Sequence, residues 1–139
     1  MAKVKSKNTK PEITVRKFLF SKGLRYRIHD KKLPGHPDIV LKKYNTIILI
    51  NGCFWHGHQD VSCRFSRLPK SNVIFWQEKI NKNIKKDSIN NLLLKDLKWN
   101  VITIWECQLK DKKSIELTLD NLYKELLEIK KLIYRSADF

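Results

Sequence analysis

Three cysteines and one histidine constrain this chain more than any other feature. Cys53, His58 and Cys63 follow one another with four residues between neighbours, and Cys107 lies much further along the chain. Structural zinc is held by four sulfur or nitrogen ligands, and three cysteines with one histidine are a common set. The spacing therefore predicts a zinc site that fastens residue 107 to the segment 53–63. The alternative is that the cysteines are unrelated and pack as small apolar side chains.

Chain length and cysteine use indicate the domain count and the compartment. The chain has 139 residues, the size of one domain, and residues 1–8 are polar and basic. No run approaches the ~18 apolar residues of a membrane span, and no secretory signal is visible. We therefore expect one cytoplasmic domain over residues 1–139, with residues 1–8 as a flexible arm. In a reducing cytosol, cysteines serve metal binding or chemistry rather than disulfides.

The net charge predicts a polyanionic partner. Lys and Arg total 29 against 14 Asp and Glu, which gives a net charge of +15 and a pI near 9.9. Repulsion among so many like charges destabilises a folded chain, so such an excess usually serves binding. Nucleic acid is the leading partner, and an anionic membrane surface is the second.

The hydrophobic pattern predicts helices around a sheet. Apolar residues recur at helical spacing over residues 11–22, 71–95 and 111–133. Extended segments are expected over residues 24–28, 38–41, 46–50 and 99–105. Residues 46–50 offer apolar side chains to both faces, which is typical of a central strand, and residues 38–41 should pair with it as a hairpin. The order predicts an α/β fold with a mixed central β-sheet flanked by helices.

Asp38 is the first candidate for catalysis. It follows Pro37 at the start of a predicted strand, after the constrained turn of residues 33–37. Nucleases of the PD-(D/E)XK type place an aspartate after a proline and an acid-x-lysine triplet on the next strand, where carboxylates hold Mg²⁺ against the scissile phosphate. Here Leu49 and Asn51 occupy the acid and lysine positions, so the general pattern fails by itself. An aspartate at a strand entry is more often a turn or cap residue.

A longer series of motifs is more specific. Residues 33–38 are Leu-Pro-Gly-His-Pro-Asp, residues 51–58 are Asn-Gly-Cys-Phe-Trp-His-Gly-His, and residues 75–80 are Phe-Trp-Gln-Glu-Lys-Ile. Trp-Glu-Cys follows at 105–107, and Ser-Lys-Asn-Thr-Lys-Pro-Glu precedes them at 6–12. In this order they resemble the very short patch repair (Vsr) DNA mismatch endonucleases over residues 6–108. The Gly-Cys-Phe-Trp-His core is highly specific to that family.

The resemblance implies a restriction-endonuclease-like fold with a PD-(D/E)XK-type core. It also implies Mg²⁺-dependent hydrolysis of one strand at a thymine opposite a guanine, on a scaffold with structural zinc. Such mismatches arise when 5-methylcytosine deaminates, which links the activity to a DNA cytosine methyltransferase. We expect a monomer that acts on duplex DNA.

The resemblance also assigns roles to residues. Asp38 would bind the catalytic Mg²⁺ through its carboxylate, and the main-chain carbonyl of Ile50 would replace the missing acid. His56 would stand beside the phosphate and activate or position water. Glu12, on the first helix, would support the metal-water network. The family's zinc ligands fall on Cys53, His58, Cys63 and Cys107.

Two aromatic residues and one amide complete the predicted site. Phe54 and Trp55 would be core residues if judged by residue type alone. By resemblance they are wedges that enter the duplex near the mismatch, where unstacking costs less. Asn51 stands where the best-known form of the family has a second active-site histidine. An amide can orient water or phosphate but cannot act as a general base, so proton transfer falls to His56 or to metal-bound water.

The other candidates have less specific roles. Four lysines of the second predicted helix are divided between solvent and phosphate contacts: Lys79, Lys82, Lys85 and Lys86. Three tryptophans are predicted in the core: Trp76, Trp99 and Trp105. His29 receives no role, and His36 either shapes the turn before Asp38 or contacts phosphate.

Three hypotheses follow for the function. The first is a T·G mismatch endonuclease. The second is a restriction-type nuclease that uses the same core on matched DNA. The third is a catalytically silent zinc DNA-binding module, which Asn51 makes conceivable.

Overall fold

The computed structural model describes residues 9–58 and 63–137, with side chains to residue 135. The predicted basic arm, residues 1–8, lies outside the described residues, as does the segment 59–62 between two of the proposed zinc ligands. The described α-helices are α1 (Lys10–Ser21), α2 (Val73–Asp96) and α3 (Lys112–Ala137). The strands are β1 (Arg27–Ile28), β2 (Ile39–Leu41), β3 (Thr46–Asn51) and β4 (Asn100–Trp105). All predicted elements occur, with ends displaced by no more than four residues.

The strands form one mixed sheet in the order β1-β2-β3-β4. The β1–β2 and β2–β3 pairs are antiparallel, and β3–β4 is parallel. The β2–β3 hairpin turns through residues 42–45 and pairs Leu41 with Thr46, as the sequence predicts. The parallel pair requires a crossover, and α2 supplies it. The α/β class with a mixed sheet is confirmed.

Apolar clusters cover both faces of β3. Ile48 and Ile50 pack on one side with residues of β2, β4, α1 and α3. Ile47 is buried on the other side with Leu94 of α2, and Leu49 packs against that cluster. Successive side chains of a strand point to opposite faces, so an uninterrupted apolar run needs cover on both. The prediction of a central strand over residues 46–50 is confirmed.

The start of α1 places an acidic side chain inside the molecule. Thr9 caps the helix, and its Oγ1 accepts the backbone N–H of Glu12 at 3.4 Å. Glu12, Val15 and Leu19 then share the buried side of the helix, and Glu12 is only 3% exposed. The cap therefore fixes where a buried carboxylate enters the fold.

The helices of the described ranges include none that is both long and apolar enough to span a membrane.

Candidate active site and metal centre

A cleft of about 680 Å³ opens beside the C-terminal end of β3. Glu12 of α1, Asp38 before β2 and Asn51 at the end of β3 line it on one side. His56 and, on α2, Asp87 also line it. All five residues that the sequence predicts for catalysis, including Ile50, therefore border one space.

The turn before β2 aims Asp38 into this cleft. Gly35 and His36 both have left-handed backbone angles, with φ of 76° and 44°. The His36 N–H donates to the Leu33 carbonyl at 3.1 Å, so His36 shapes the turn as predicted. A Cβ at Gly35 would stand 3.1 Å from the Asn90 side chain of α2, which leaves glycine as the residue that fits there.

The environment of the Asp38 carboxyl group disfavours its charged form. Its Oδ2 accepts the Ile50 backbone N–H at 2.7 Å. Burial raises the pKa of Asp38 to about 6, repulsion from Glu12 adds to that rise, and the Ile50 N–H opposes it. Two carboxylates held together in a half-buried site favour a bound cation, and oxygen ligands suit Mg²⁺. The donor set therefore fits the predicted ion.

His29, which the sequence left without a role, joins the carboxylates. Its Nε2 lies 3.0 Å from Oε2 of Glu12, and Nη2 of Arg16 lies 3.7 Å from the same oxygen. One ligand atom from each of Glu12, His29 and Asp38 falls within 4.8 Å of the other two. The structure thus brings together a mixed carboxylate and imidazole cluster.

His56 forms a pair with a residue of α2. Its Nδ1 lies 2.5 Å from Oδ2 of Asp87. A carboxylate that accepts from Nδ1 selects the tautomer with hydrogen on that nitrogen and leaves a lone pair on Nε2. The pair holds the imidazole in one orientation at the cleft, which is the arrangement that a general base requires.

The three cysteines and His58 also meet. One donor atom from each lies within 4.8 Å of the others. The Cys107 N–H donates to Sγ of Cys53 at 3.4 Å, and Sγ of Cys107 lies 3.5 Å from Nδ1 of His58. A sulfur and a nitrogen on one tetrahedral zinc stand about 3.5 Å apart. The geometry therefore fits the four-ligand zinc site that the spacing predicts.

The thiols in this cluster do not titrate alike. Burial raises the pKa of Cys53 and of Cys107. Burial opposes ionisation of Cys63 as well, but hydrogen bonds from His58 and Cys53 outweigh it and lower its pKa to about 7. The thiolate is the form that binds metal. A cation would remove the cost of holding these sulfurs together.

Similarity to known proteins places the chain in a family. The family model for the DNA mismatch endonuclease Vsr matches residues 1–62. The Type II nicking enzyme V.NmeAIP of Neisseria meningitidis is 50% identical over 126 residues, which cover 91% of this chain and 88% of the relative. The DNA mismatch endonuclease Vsr of Escherichia coli is 35% identical over 115 residues, covering 83% and 72% of the two chains.

The chain belongs to the Vsr family of DNA endonucleases. The Type II nicking enzyme V.XorIIP of Xanthomonas oryzae is a further relative, 43% identical over 122 residues that cover 88% of each chain. The resemblance inferred from the motifs is therefore confirmed.

The aromatic residues of this Vsr-family chain form a cluster at the mouth of the cleft. Phe54 and Trp55 are both partly exposed, and their ring centroids lie 5.2 Å apart. Trp76 of α2 contacts both, at 5.5 Å and 5.9 Å, while Phe75 beside it is 58% exposed. Nζ of Lys79 lies 5.2 Å from the Trp55 ring. The prediction that Trp76 is a core residue is wrong, because it belongs to this half-open cluster.

The other two tryptophans differ from each other. Trp99 packs against the apolar cluster on one face of the sheet, so its core prediction is confirmed. Trp105 is only partly buried and stacks on His58, with centroids 4.1 Å apart and planes 11° from parallel. It therefore packs on a member of the cysteine cluster, and the prediction that Trp105 is a core residue is wrong.

Gly57 holds the two histidines of the loop at their separate sites. Its φ is 59°, and a Cβ there would lie 2.6 Å from side-chain atoms of both Ile80 and Ile84. The loop therefore packs directly on α2, with His56 on the cleft and His58 at the sulfur cluster. Asn83 supports the same loop, because its Nδ2 donates to the Trp55 carbonyl at 2.9 Å.

Two residues that contact the predicted site residues, Asp87 and His29, were not identified from the sequence. Asp87 carried a signal, since it shares one face of α2 with buried Ile80 and Leu94 and with Asn83 and Asn90. Polar residues at inward positions of a helix indicate a cleft rather than a core. His29 carried no local signal, because only the pairing of β1 with β2 brings it to Glu12.

Proposed function

We propose that this enzyme nicks one strand of duplex DNA at T·G mismatches by Mg²⁺-dependent hydrolysis of a phosphodiester. One observation carries the proposal. Asp38, Glu12 and the His56–Asp87 pair border a single cleft, and the partly exposed rings of Phe54 and Trp55 border it too. The E. coli relative is named as a DNA mismatch endonuclease, and the Neisseria relative is named as a nicking enzyme.

The carboxylate of Asp38 and the carbonyl of Ile50 are the proposed ligands of the catalytic ion. In an extended strand the N–H and C=O of one residue face the same neighbour, and the Ile50 N–H faces Asp38. The Ile50 carbonyl is therefore directed to the same side as that carboxylate. Mg²⁺ bound there would supply charge neutralisation for the phosphate and would lower the pKa of bound water.

His56 is the proposed group that activates or positions the attacking water. The carboxylate of Asp87 keeps the imidazole hydrogen of His56 on Nδ1. Nε2 of His56 can therefore accept a proton from a water molecule beside the phosphate. Asn51, at the end of β3, borders the same cleft. Its amide can donate to a phosphate oxygen and accept from water, but it takes up no proton. A single histidine base is therefore the arrangement in this chain.

Phe54 and Trp55 are the proposed contacts to the mismatch. Their half-open position is costly for apolar rings in water and is suited to stacking against unpaired bases. A T·G step is easier to unstack than a matched step, so insertion there is less costly. Nζ of Lys79, held over the Trp55 ring, adds positive charge beside the proposed DNA path.

The cysteine cluster is the proposed structural zinc site. It fastens the loop that carries Phe54, Trp55 and His56 to the segment after β4. Zinc would therefore hold the DNA-binding loop in place without touching the phosphate. The same proposal includes a restriction-endonuclease-like core and a monomeric protein. It also places the protein in the bacterial cytoplasm, at the nucleoid while it acts, with a functional link to a DNA cytosine methyltransferase.

Nicking of end-labelled duplexes tests this function. Three duplexes that differ at one position, T·G, T·A and C·G, are incubated with protein of confirmed zinc content, either in Mg²⁺ or in buffer freed of divalent ions beforehand. We expect a nick in the thymine strand of the T·G duplex alone, and only with Mg²⁺. Equal cutting of matched duplexes would establish a restriction-type nuclease instead. Tight binding without any cut would establish a silent DNA-binding module.

A further inference from the structure

We propose that His29 is a nitrogen ligand of the catalytic divalent ion. With Glu12 and Asp38 it would form a mixed oxygen and nitrogen site that takes Mn²⁺ more tightly than Mg²⁺. The inference rests on the proposed function, because it concerns the ion that Asp38 would hold there.

The distances in the cluster are those of ligands around one ion. Neighbouring ligands of an octahedral ion with bonds of about 2.1 Å stand about 3.0 Å apart, and opposite ligands about 4.2 Å apart. Nε2 of His29 and Oε2 of Glu12 are separated by 3.0 Å. All three donor atoms, including that of Asp38, lie within 4.8 Å of one another. An ion could therefore engage the three side chains with small rotations.

Ordered backbone segments hold the three side chains of this cluster in place. The His29 N–H donates to the Asp38 carbonyl at 3.2 Å, directly after the β1–β2 pairing of Ile28 with Ile39. His29 has a φ of 49°, which turns the chain sharply at the end of β1. Glu12 comes from the capped first turn of α1. Ligands fixed by separate rigid elements need little reorganisation to bind.

The cluster is also enclosed enough to select its ion. The side chains of His29 and Glu12 are 16% and 4% exposed. An ion held there exchanges part of its water shell for protein ligands. Mg²⁺ gives up its bound water reluctantly and prefers oxygen ligands. Mn²⁺ exchanges its bound water more easily, and an imidazole ligand raises its affinity for a site. The largely enclosed imidazole of His29 therefore favours the transition ion.

Nitrogen coupling to bound Mn²⁺ tests the ligand directly. Zinc-loaded protein with ¹⁵N-labelled histidine is titrated with Mn²⁺ and measured by pulsed electron paramagnetic resonance. We expect a ¹⁵N coupling in the native protein and in His56→Gln, the matched control at the histidine that lines the cleft. The coupling should vanish in His29→Gln and His29→Asn. Asparagine is included because it tolerates the left-handed backbone at this position.

Affinities give the second measurement. His29→Asn should weaken Mn²⁺ binding by about tenfold or more, and Mg²⁺ binding by clearly less. Zinc content equal to that of the native protein shows that a variant is folded. If a His29 variant loses zinc, the comparison of native protein with His56→Gln still decides, because a coupling that survives without His56 comes from the histidine beside Glu12 and Asp38, which is His29.

Two results would overturn the inference while leaving the proposed function intact. One is Mn²⁺ binding that requires Asp38 but shows no nitrogen coupling. The other is a coupling that survives in both His29 variants. A different result would overturn the proposed function itself: Mn²⁺ binding that is unchanged in Asp38→Asn, since the ion would then bind elsewhere.

Discussion

The two side-chain clusters of this endonuclease are built from opposite kinds of donor. One joins three sulfurs and an imidazole nitrogen, and the other joins two carboxylates and an imidazole nitrogen. Burial raises the pKa of Cys53 in the first and of Asp38 in the second. Each cluster is therefore costly when charged and empty, and each is stabilised by a cation. Sulfur selects zinc and oxygen selects a harder ion, so donor type separates the proposed structural site from the proposed catalytic one.

The clusters also differ in how the chain assembles them. Two donors of the sulfur cluster, Cys53 and His58, come from one loop, and Cys107 lies just past the parallel neighbour of β3. The carboxylate cluster draws Glu12 from α1, His29 from directly after β1 and Asp38 from directly before β2. A site that takes two of its four donors from one loop can determine the shape of that loop, whereas a site formed between elements depends on the fold being made already. Loss of the first should cost stability, and loss of the second should cost activity.

Cys53→Ser should have the largest effect, because it removes a ligand of the proposed structural zinc site. The variant should lose most of its zinc, at least about 4 kcal/mol of unfolding free energy, and all nicking. Metal analysis and denaturant unfolding measure the first two. A variant that is free of zinc and as stable as the native protein would show that the cluster does not hold the fold.

Asp38→Asn should impair the carboxylate cluster and leave the cysteine cluster unchanged. Nicking should fall by about 10³-fold, because the variant loses a charged ligand worth several kcal/mol. Zinc content should not change. Asparagine keeps an acceptor for the Ile50 N–H and removes a buried charge, so Tm should be equal or higher by up to about 5 °C. A large fall in Tm would mean that Asp38 serves the fold instead.

Substitutions in the His56–Asp87 pair test the proposed catalytic site further and should have smaller effects. His56→Gln should slow nicking by about 10²-fold and Asp87→Asn by about tenfold, since the carboxylate acts by orienting the ring. The double variant should be no slower than His56→Gln, because Asp87 has no other part in the reaction. Single-turnover rates measure all three. Additive losses would give Asp87 a separate role.

Acid should act on Asp38 before it acts on the fold. Protons compete with the ion for this carboxylate, so Mg²⁺ affinity should fall about tenfold per pH unit below its pKa of about 6. Without divalent ion, a raised pKa stabilises the folded state at low pH, and this contribution is lost as pH rises through about 6. The higher Tm of Asp38→Asn should therefore appear above pH 6 and disappear toward pH 4. A Tm difference that does not vary with pH would contradict the raised pKa.

The sequence predicted the sulfur cluster better than the carboxylate cluster, for a physical reason. Regular spacing of Cys53, His58 and Cys63 is visible in the chain itself, and so is the apolar run of β3. The motifs supplied Asp38, Glu12 and His56 through resemblance to a family. His29 and Asp87 were not found, because strand pairing and helix packing create their contacts.

Trp76 shows that burial, too, is poorly predicted from local sequence. A tryptophan at helical spacing usually packs in a core, but the face of α2 that carries it meets Phe54 and Trp55 at an open cleft. Local pattern gives the element, and only the tertiary neighbours decide whether a side chain is buried.

Zinc content and nicking measured in one sample test the separation of the two clusters most directly. Zinc-loaded protein is freed of other divalent ions, mixed with T·G duplex and titrated with Mg²⁺. Nicking should rise from none to its full single-turnover rate while zinc stays at one ion per chain. Full nicking before any Mg²⁺ is added, or a rate that follows zinc content alone, would contradict the account.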